Sequence, residues 1–542
     1  MVESRHNYGV FDRIAICVLL ALTAIAAMTF RDYGLGWDDY THSQYGELLL
    51  AFYTSGFRDT RAFEFVNLYM YGGGFDMTAA LLAKVLPFDL FDTRRLVGAA
   101  LGLLGLAVIW RLGRRIGGPL SGLIALVLLA ACPLYYGHMF INPKDTPFAV
   151  MMAITLLGIV RAIEEYPRPA PGTGLLFGLG LGLSIGSRIM GGFAILYALA
   201  ALLLIVTVEA RVDGLRPAAA RLGSFLRAIA PSIILAYAAM ALVWPWSVLN
   251  PLNPLRTMFY FSQFFEKPWR ELFAGELILA PDMPRSYVPV LFGLQLPEIF
   301  LALAVAGLTG ALAMVAWPTN LVRRRAIYLS VALATICPII VAVATRPAMY
   351  NSIRHFVFLI PPLALLGGLA GGFLLERLRQ FGRSALIVGI AVLFTGLALP
   401  VVEMVRLHPY QYVYFNQFAG GIRGTDGRYM LDYWGLAFKQ ASQELLIQLA
   451  QRRDAPEEAR KWKIAVCGPH PPAAVVLGEP FDLTWDAKGA DFAMMLSVFY
   501  CATLDAPVLV EITREGVSFA RVYDIRGRSI PSLFTFPPVQ RD

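Results

Sequence analysis

The chain has 542 residues, of which 57% are hydrophobic and only 15% are charged, and its mean hydropathy is +0.59. Soluble domains carry about 25% charged residues, so this composition excludes an ordinary soluble protein and indicates an integral membrane protein. The net charge of +8 and the pI near 9.2 are explained by basic loops on the cytoplasmic side of a membrane. No nucleic-acid partner is therefore expected.

Apolar runs long enough to cross a bilayer recur along most of the chain and predict about eleven transmembrane helices. The first run lacks a small-residue cleavage site, so it is predicted to be a span and not a signal peptide. The predicted spans cover residues 14–30, 95–110, 119–137, 146–162, 173–188, 191–208, 227–246, 294–317, 327–345, 356–376 and 384–402.

The charges of the connecting loops support this arrangement. With a cytoplasmic N-terminus, every arginine cluster in the loops falls on the cytoplasmic side, as the positive-inside rule requires. The weakest member is the loop 161–172, where Glu164 and Glu165 offset the arginines. The clusters are Arg111, Arg114 and Arg115; Arg211, Arg216, Arg221 and Arg227; Arg323, Arg324 and Arg325; and Arg377, Arg379 and Arg383.

Two long segments are then expected on the opposite, outer face. Residues 31–94 contain amphipathic stretches at 46–53 and 75–86, which are predicted to be helices at the membrane interface, although the second could be a short re-entrant segment. Residues 247–293 are rich in aromatic residues, which favours an interfacial helix or a lid over a lipid-bearing groove. These aromatic residues are Phe259, Tyr260, Phe261, Phe264, Phe265 and Trp269.

The hydropathy falls after residue 402, and residues 403–542 are predicted to form a small α/β domain outside the membrane. Branched and aromatic residues predict strands near 462–468, 492–500, 508–513 and 517–524, and helical periodicity predicts a helix over 436–451. Cys467 and Cys501 could form a disulfide if this domain is not cytoplasmic. His470 is expected to be a loop residue and not a metal ligand.

The most unusual polar stretch begins directly after the first span, where Asp38 and Asp39 follow Gly34-Leu35-Gly36-Trp37. Adjacent acids can cap a helix N-terminus by accepting backbone hydrogen bonds. They can also serve as a general base or as metal ligands at the mouth of a membrane cavity. Both interpretations stay open from the local sequence.

A second polar cluster lies in the predicted tight loop from His138 to Asp145, where His138, Asn142, Lys144 and Asp145 fall within eight positions. A turn with a helix cap would explain Pro143 and Asp145. A functional loop would use Lys144 as a point charge for a phosphate oxygen.

The third cluster is basic and precedes a predicted span at its outer end. Arg354 and His355 either reach out to lipid phosphates or hold a lipid-linked phosphate or pyrophosphate. Arg188 is a further arginine on the same face. Acids that activate an acceptor, together with cations that stabilise developing negative charge, suit a reaction in which phosphate is the leaving group.

These residues resemble those of the GT-C superfamily of membrane glycosyltransferases, in particular glycosyltransferase family 39, which includes protein O-mannosyltransferases and lipid A aminoarabinose transferases. The resemblance rests on Trp37-Asp38-Asp39 with Tyr45-Gly46-Glu47, and on Asn142–Phe148, Gly182–Arg188, Pro284–Pro297 and Arg354-His355. Residues 414–421 and 432–435 resemble bacterial members that have a periplasmic tail.

The resemblance implies the GT-C fold and an inverting transfer of a sugar from a polyprenyl-phosphate donor to a lipid, glycan or protein acceptor at the periplasmic face of a bacterial inner membrane. It implies that Asp38, Asp39 and Asp145 are catalytic, and that Lys144, Arg188, Arg354 and His355 bind the donor phosphate. The expected substrate groove contains His42, His138, Asn142 and Tyr287. No cofactor is obligatory, because a lipid monophosphate can leave without a metal; if Mg²⁺ or Mn²⁺ is used, the expected ligands are Asp38, Asp39 and Asp145.

A transporter or flippase of a lipid-linked or anionic solute is the main alternative. It predicts charges at mid-membrane and a repeat between two halves, and the sequence shows neither. A third hypothesis is an assembly or receptor protein that acts through its tail, which leaves the loop clusters unexplained.

Overall fold

A computed structural model describes residues 9–262, 270–319, 321–456 and 460–536 of the chain. Its helices form one bundle, and a five-stranded sheet follows in the C-terminal region. The bundle helices are α1 (Val10–Thr29), α4 (Leu90–Gly117), α5 (Pro119–Ala130), α6 (Pro133–Ile141), α7 (Asp145–Glu164), α8 (Pro171–Ser187), α9 (Phe193–Val212), α10 (Leu215–Val243), α14 (Glu298–Ala316), α15 (Val322–Thr345), α16 (Ile360–Phe381) and α17 (Arg383–Leu407).

Each of the eleven predicted spans is occupied by helix. Nine helices of the described part of the chain are individually long and apolar enough to cross a membrane, and the pair α5 and α6 makes a tenth if it is one span. Helix α8, with 17 residues, lies at the lower limit of spanning length. The structure therefore shows a polytopic helical membrane protein.

The predicted span 119–137 is not a straight helix. Helix α5 ends at Ala130, and α6 starts at Pro133 at an angle of 64° to it. Pro133 lacks the N–H that would continue the α5 ladder, which explains the break at this point. The second segment runs on to Ile141, so His138 lies in a helix and not in the expected loop, which is reduced to residues 142–144.

Small residues bring the central helices close together. Helix α16 packs against α5 and α14. A Cβ added at Gly368 would lie 2.4 Å from Cβ of Ala125, so this glycine is needed for the close approach of α16 and α5. Close packing through small residues is a main source of helix association in lipid.

The two ends of the bundle contain different groups of charged residues. At one end Arg114 binds Asp12 at 2.7 Å, Arg221 binds Glu209 at 2.9 Å, and Arg323 donates to the carbonyl of Glu164 at 3.3 Å. These arginines belong to the loop clusters that the sequence placed on one side. The clusters of acids and cations singled out as candidate functional residues lie at the other end.

The predicted outer segments contain helices. Residues 31–94 form α2 (Asp39–Thr54) and α3 (Gly74–Ala83). Residues 247–293 form α12 (Asn253–Ser262), a hairpin of β1 (Arg270–Phe273) and β2 (Glu276–Leu279), and most of α13 (Tyr287–Gln295), with the short α11 (Trp246–Leu249) at their start. The hairpin was not predicted, and Phe264, Phe265 and Trp269 lie outside the described residues.

The C-terminal sheet has the strand order β4-β3-β5-β7-β6. Strands β4, β3 and β5 are parallel, and β7 pairs antiparallel with β5 and β6. The strands are β3 (Trp462–Cys467), β4 (Phe481–Thr484), β5 (Phe492–Leu496), β6 (Val508–Arg514) and β7 (Val517–Asp524), and the helices of this region are α18 (Gly421–Thr425), α19 (Ala437–Arg452) and α20 (His470–Leu477).

Three details of this region differ from the sequence prediction. Strand β4 was missed, β5 ends at Leu496 and not near 500, and His470 begins α20 and does not lie in a loop. Cys467 and Cys501 form a disulfide. Helix α19 and the other strands lie within one or two residues of the predicted positions.

Candidate active site

Four chain segments meet at the end of the bundle opposite the basic loops. They are the turn between α1 and α2, the start of α7, the residue after α8, and the short 3₁₀ turn Arg354–Leu359 that leads into α16. Because each segment is a helix end, its polar side chains are available without interrupting a span. This place contains Asp38, Lys144, Asp145, Arg188 and Arg354.

Asp38 is the carboxylate between two cations. Its Oδ2 lies 3.7 Å from Lys144 Nζ and 3.4 Å from Arg354 Nη1. About a third of the Asp38 side chain is exposed (35%), whereas Asp39 is buried. Burial alone would raise the pKa of the Asp38 carboxyl, but Lys144 and Arg354 together hold this pKa well below its usual value. Asp38 is therefore ionised and held by two long ion pairs.

Asp145 forms a second, tighter ion pair. Its Oδ1 lies 2.5 Å from Arg188 Nη2, and its Oδ2 accepts a hydrogen bond from the Asn142 amide at 2.8 Å. The Asn142 side-chain oxygen accepts from the backbone N–H of Asp145 at 2.8 Å and of Lys144 at 3.1 Å. Asn142 thus caps the first turn of α7 and orients Asp145 with the same side chain.

His138 contacts two residues next to Asp145, namely Asn142 and Thr146. It is fully buried, its Nδ1 lies 3.2 Å from the Asn142 amide, and its Nε2 lies 3.3 Å from the hydroxyl of Tyr433. Its backbone carbonyl accepts from the Thr146 hydroxyl at 2.9 Å. His138 and Asn142 therefore position Asp145, a role that their placement in the expected substrate groove did not predict.

Aromatic rings surround the cations. The Arg354 guanidinium lies 5.1 Å from the ring centre of Tyr350 and 5.4 Å from that of Trp434, and His355 packs edge-on against Tyr350 at 5.1 Å. Such contacts stabilise a cation where water is scarce. Trp434 comes from the segment before α19, so the C-terminal region contributes to the wall of the site.

Tyr71 lies beneath the other two cations. Lys144 Nζ is 4.9 Å and the Arg188 guanidinium 5.8 Å from the ring centre of Tyr71. Burial lowers the pKa of Lys144, and Arg188 and Arg354 act in the same direction, against the opposing effect of Asp38. Among the described residues, the ion pairs of Lys144, Arg188 and Arg354 are with Asp38 and Asp145. Three cations paired with two carboxylates leave an excess of one positive charge for an anion.

Asp39 points away from this group. Its Oδ2 and Oδ1 lie 2.6 and 3.1 Å from the Arg95 guanidinium, and its carboxylate accepts from the backbone N–H of Gly36 at 2.8 Å. Arg95 also donates to the carbonyls of Gly34 at 2.5 Å and Phe140 at 3.3 Å. The adjacent acids therefore have different surroundings, and Asp39 ties the turn that carries Asp38 to α4 and α6.

His42 belongs to a second buried network. Its Nδ1 lies 2.7 Å from Asp76, which accepts from Arg94 at 2.8 Å, and Arg94 Nε lies 3.6 Å from Asp39. Burial lowers the pKa of His42, which outweighs the opposite effect of Asp76, so the imidazole is neutral at pH 7. His42 thus connects α2 to α3 and α4 beside the candidate site.

Sequence reasoning missed Asp76, Arg94 and Arg95. A signal was present, because an arginine pair at the predicted outer end of a span opposes the positive-inside rule. A single acid in the otherwise apolar α3 was a second signal. The hydroxyl of Tyr287, the residue expected in the groove, lies within hydrogen-bond distance of two acceptors, the Glu271 carboxylate at 3.2 Å and the Ser352 carbonyl at 3.3 Å.

The carboxylates do not form a metal centre. Among the described residues, no group of three or more His, Cys, Asp or Glu side chains is placed to hold a metal ion. Asp38, Asp39 and Asp145 are each paired with lysine or arginine, and Asp39 faces Arg95 and not the other two carboxylates. The three expected ligands therefore do not converge on one Mg²⁺ or Mn²⁺ ion.

Comparison with known proteins gives one family and several structures. Residues 75–233 match the family described as dolichyl-phosphate-mannose-protein mannosyltransferase. No curated protein sequence matches the chain. The apo oligosaccharyltransferase of Archaeoglobus fulgidus superposes with a TM-score of 0.51 at 11% identity, covering 88% of this chain and 65% of that one.

A second similar structure is ArnT from Cupriavidus metallidurans bound to undecaprenyl phosphate. It has a TM-score of 0.47 and 15% identity, and covers 94% of this chain and 97% of that one. A third, AglB from Archaeoglobus fulgidus with an inhibitory peptide and a dolichol-phosphate, has a TM-score of 0.48 and 12% identity, and covers 87% of this chain and 65% of that one.

The protein is thus a multi-pass membrane protein with the fold of the GT-C superfamily of glycosyltransferases. Within that superfamily, its segment 75–233 is similar to the protein mannosyltransferase family. This segment contains Lys144, Asp145 and Arg188 of the site described above.

Proposed function

We propose that the protein is an inverting glycosyltransferase that moves a sugar from a polyprenyl-phosphate donor to an acceptor at the outer face of the membrane. The observation that carries this proposal is the group of three cations, Lys144, Arg188 and Arg354, around two carboxylates at one end of a membrane bundle. Cations at the end of a membrane bundle can bind the phosphate group of a lipid whose chain remains in the membrane.

Binding of the donor phosphate would change the partners of Asp38. The two ion pairs of Asp38 are long, at 3.7 and 3.4 Å, and a phosphate oxygen offers Lys144 and Arg354 a stronger, charge-assisted partner. Once these cations turn to the phosphate, the pKa of Asp38 rises towards its usual value. The donor thereby converts a neutralised carboxylate into a proton acceptor.

The chemical step is a nucleophilic substitution at the anomeric carbon of the donor sugar. Asp38 accepts the proton of the acceptor hydroxyl or amine as that atom attacks the anomeric carbon of the sugar. The bond between this carbon and the phosphate oxygen breaks, and both of its electrons leave with the lipid phosphate. Lys144, Arg188 and Arg354 stabilise the charge that develops on the phosphate. Attack opposite the leaving group inverts the anomeric centre.

Asp145 and Asp39 have different parts in this scheme from Asp38. Asp145 orients Arg188 through the ion pair between its Oδ1 and Arg188 Nη2, which are 2.5 Å apart. Asn142 in turn orients Asp145. Asp39 holds the turn that presents Asp38. His355 packs on Tyr350 beside Arg354 and completes the phosphate site.

The orientation in the membrane is inferred from charge. The end of the bundle with Arg114, Arg221 and Arg323 is assigned to the cytoplasm by the positive-inside rule, and the active site is then periplasmic in a bacterial inner membrane. We assign catalysis to residues 1–402. Residues 403–542 would bind the acceptor or cover the mouth of the site, because Trp434 already lies 5.4 Å from Arg354.

The test is the binding of undecaprenyl phosphate to the purified full-length protein. Arg354→Ala should weaken binding by about tenfold, the equivalent of ~1.4 kcal/mol, and high salt should reduce the difference from wild type. Arg285→Ala, which removes an exposed arginine at the start of α13, should bind like wild type. Equal binding by the Arg354 and Arg285 variants would overturn the proposed phosphate site.

A further inference from the structure

A buried glutamate outside the spans connects the outer hairpin to the loop before Arg354. Glu271 on β1 is 2% exposed. Its carboxylate accepts hydrogen bonds from the backbone N–H groups of Asn351 at 3.0 Å and Ser352 at 3.2 Å, and from the Tyr287 hydroxyl at 3.2 Å. Three donors thus hold this carboxyl group, and no lysine or arginine of the described residues forms an ion pair with it.

The two backbone donors come from an unusual conformation. Asn351 and Ser352 have φ values of +56° and +65°, so two consecutive residues with a Cβ lie in the left-handed region, which is costly for such residues. Successive N–H groups that converge in this way form a concave site for an anion. Here the buried carboxyl group of Glu271 occupies this site, and its hydrogen bonds offset the cost of the conformation.

The strained pair sets the position of Arg354. It separates Tyr350 from Arg354 and turns the chain back, so that the Arg354 guanidinium lies 5.1 Å from the Tyr350 ring and 3.4 Å from Asp38. We propose that Glu271 is a positioning residue that holds residues 351 and 352 in this turn and thereby fixes Arg354 at the phosphate site. This inference rests on the proposed function of Arg354.

The hairpin that carries Glu271 is itself fixed at both sides. At its turn, the Gly275 N–H donates to the carbonyl of Arg428, before α19, at 2.9 Å. Phe273, on the same face as Glu271, packs against Tyr287 at 5.1 Å and Tyr429 at 5.7 Å. The hairpin that carries Glu271 therefore contacts both the segment before α19 and the loop before Arg354.

The test measures undecaprenyl phosphate binding by the full-length protein. Glu271→Ala should weaken binding by about tenfold, near the effect of Arg354→Ala. Glu271→Gln keeps one acceptor oxygen and should have a smaller effect. The matched control Glu276→Gln changes an exposed glutamate of the same hairpin and should bind like wild type.

Glycine substitutions at residues 351 and 352 test whether Glu271 acts by holding these residues at a positive φ. Glycine adopts a positive φ about as readily as a negative one, so Asn351→Gly with Ser352→Gly should restore part of the binding that Glu271→Ala loses. If Arg354→Ala weakens binding but Glu271→Ala does not, or if the glycines restore none of the loss, this inference is wrong while the proposed function stands. If Arg354→Ala itself has no effect, the proposed function fails first.

Discussion

Asp38 and Asp39 are neighbours in sequence, but their surroundings predict opposite responses to the same substitution. Asp38→Asn should lower the rate of sugar transfer by at least about 100-fold, since it removes the proton acceptor. Binding of undecaprenyl phosphate should be retained or become tighter, because asparagine no longer competes for Lys144 and Arg354. Parallel turnover and binding measurements check this, and loss of binding together with turnover would contradict it.

Asp39→Asn should lower the free energy of unfolding of the protein. The substitution leaves Arg95 buried with an incomplete set of acceptors, and breaking a buried ion pair in this way costs about 3 kcal/mol. Denaturant or thermal unfolding of the purified protein should show this loss. Asp59→Asn, which removes the partner of Arg61 at the surface, is the matched control, and an equal loss in both variants would refute the structural role of Asp39.

Glu271 predicts a specific dependence of stability on pH. Burial raises its pKa from 4.5 to about 7, against the lowering effects of the Asn351 and Ser352 N–H groups, the Tyr287 hydroxyl and the charge of Arg354. The folded state therefore holds a proton that the unfolded state has lost between these values, so stability falls as the pH rises from about 4.5 to about 7.

Unfolding of wild type and Glu271→Gln between pH 5 and pH 8 measures this effect. The wild type should lose up to about 3 kcal/mol relative to the variant across the whole range of the shift. Glu276→Gln should keep the wild-type dependence. A constant difference between wild type and Glu271→Gln at all pH values would contradict the raised pKa.

The sequence identified most residues that the structure gathers at the site. Asp38, Lys144, Asp145, Arg188 and Arg354 were recognisable because each is a charge next to a span on the side that the loop charges predict to be the outer one. The sequence did not separate Asp38 from Asp39, because the difference depends on Arg95 of α4. Glu271 was missed, because its two backbone donors come from a loop about 80 residues away.

The segment before α3 lies very close to the end of α8. A Cβ added at Gly72 would lie 1.5 Å from the carbonyl oxygen of Gly186, and the adjacent Gly73 N–H donates to Val243 at 2.9 Å. This contact places Tyr71 beneath Lys144 and Arg188. The close approach leaves no room for any side chain at residue 72.

Gly72→Ala should therefore displace Tyr71 and weaken both folding stability and undecaprenyl phosphate binding. Core overpacking costs about 1–3 kcal/mol, and here the neighbour is backbone that cannot rotate away. Gly192→Ala, at a site with open space around the added Cβ, should resemble wild type in thermal unfolding and binding. Wild-type behaviour of Gly72→Ala would show that this contact is not close in the protein.

Periodicity and hydropathy predicted the helices well but not their breaks. The bend at Pro133 was missed because the apolar run continues through it without a polar residue. Strand β4 and the β1–β2 hairpin were missed because each strand has only four residues, which gives alternation little room to show. Such short strands are defined by their partners in the sheet and not by their own sequence.

The C-terminal region packs directly against the helix bundle and forms part of the candidate site. Tyr412, Tyr433 and Trp434 are buried against the bundle, and Tyr433 contacts His138 at 3.3 Å. The expected division at residue 402 therefore does not separate the site from the tail, since helix α17 continues to Leu407 and the following segment lines the site. The five charged residues of the site come from parts of the chain more than 300 residues apart.

The proposed reaction of this site is the transfer of a sugar from a lipid phosphate. The most direct measurement is envelope glycan profiling by mass spectrometry of a strain that lacks the gene, complemented with wild type, Asp38→Asn or the exposed-site control Glu276→Gln. One glycan modification should disappear on deletion and return with wild type and Glu276→Gln, but not with Asp38→Asn. Full restoration by Asp38→Asn, or an unchanged glycan profile on deletion, would contradict the proposed reaction.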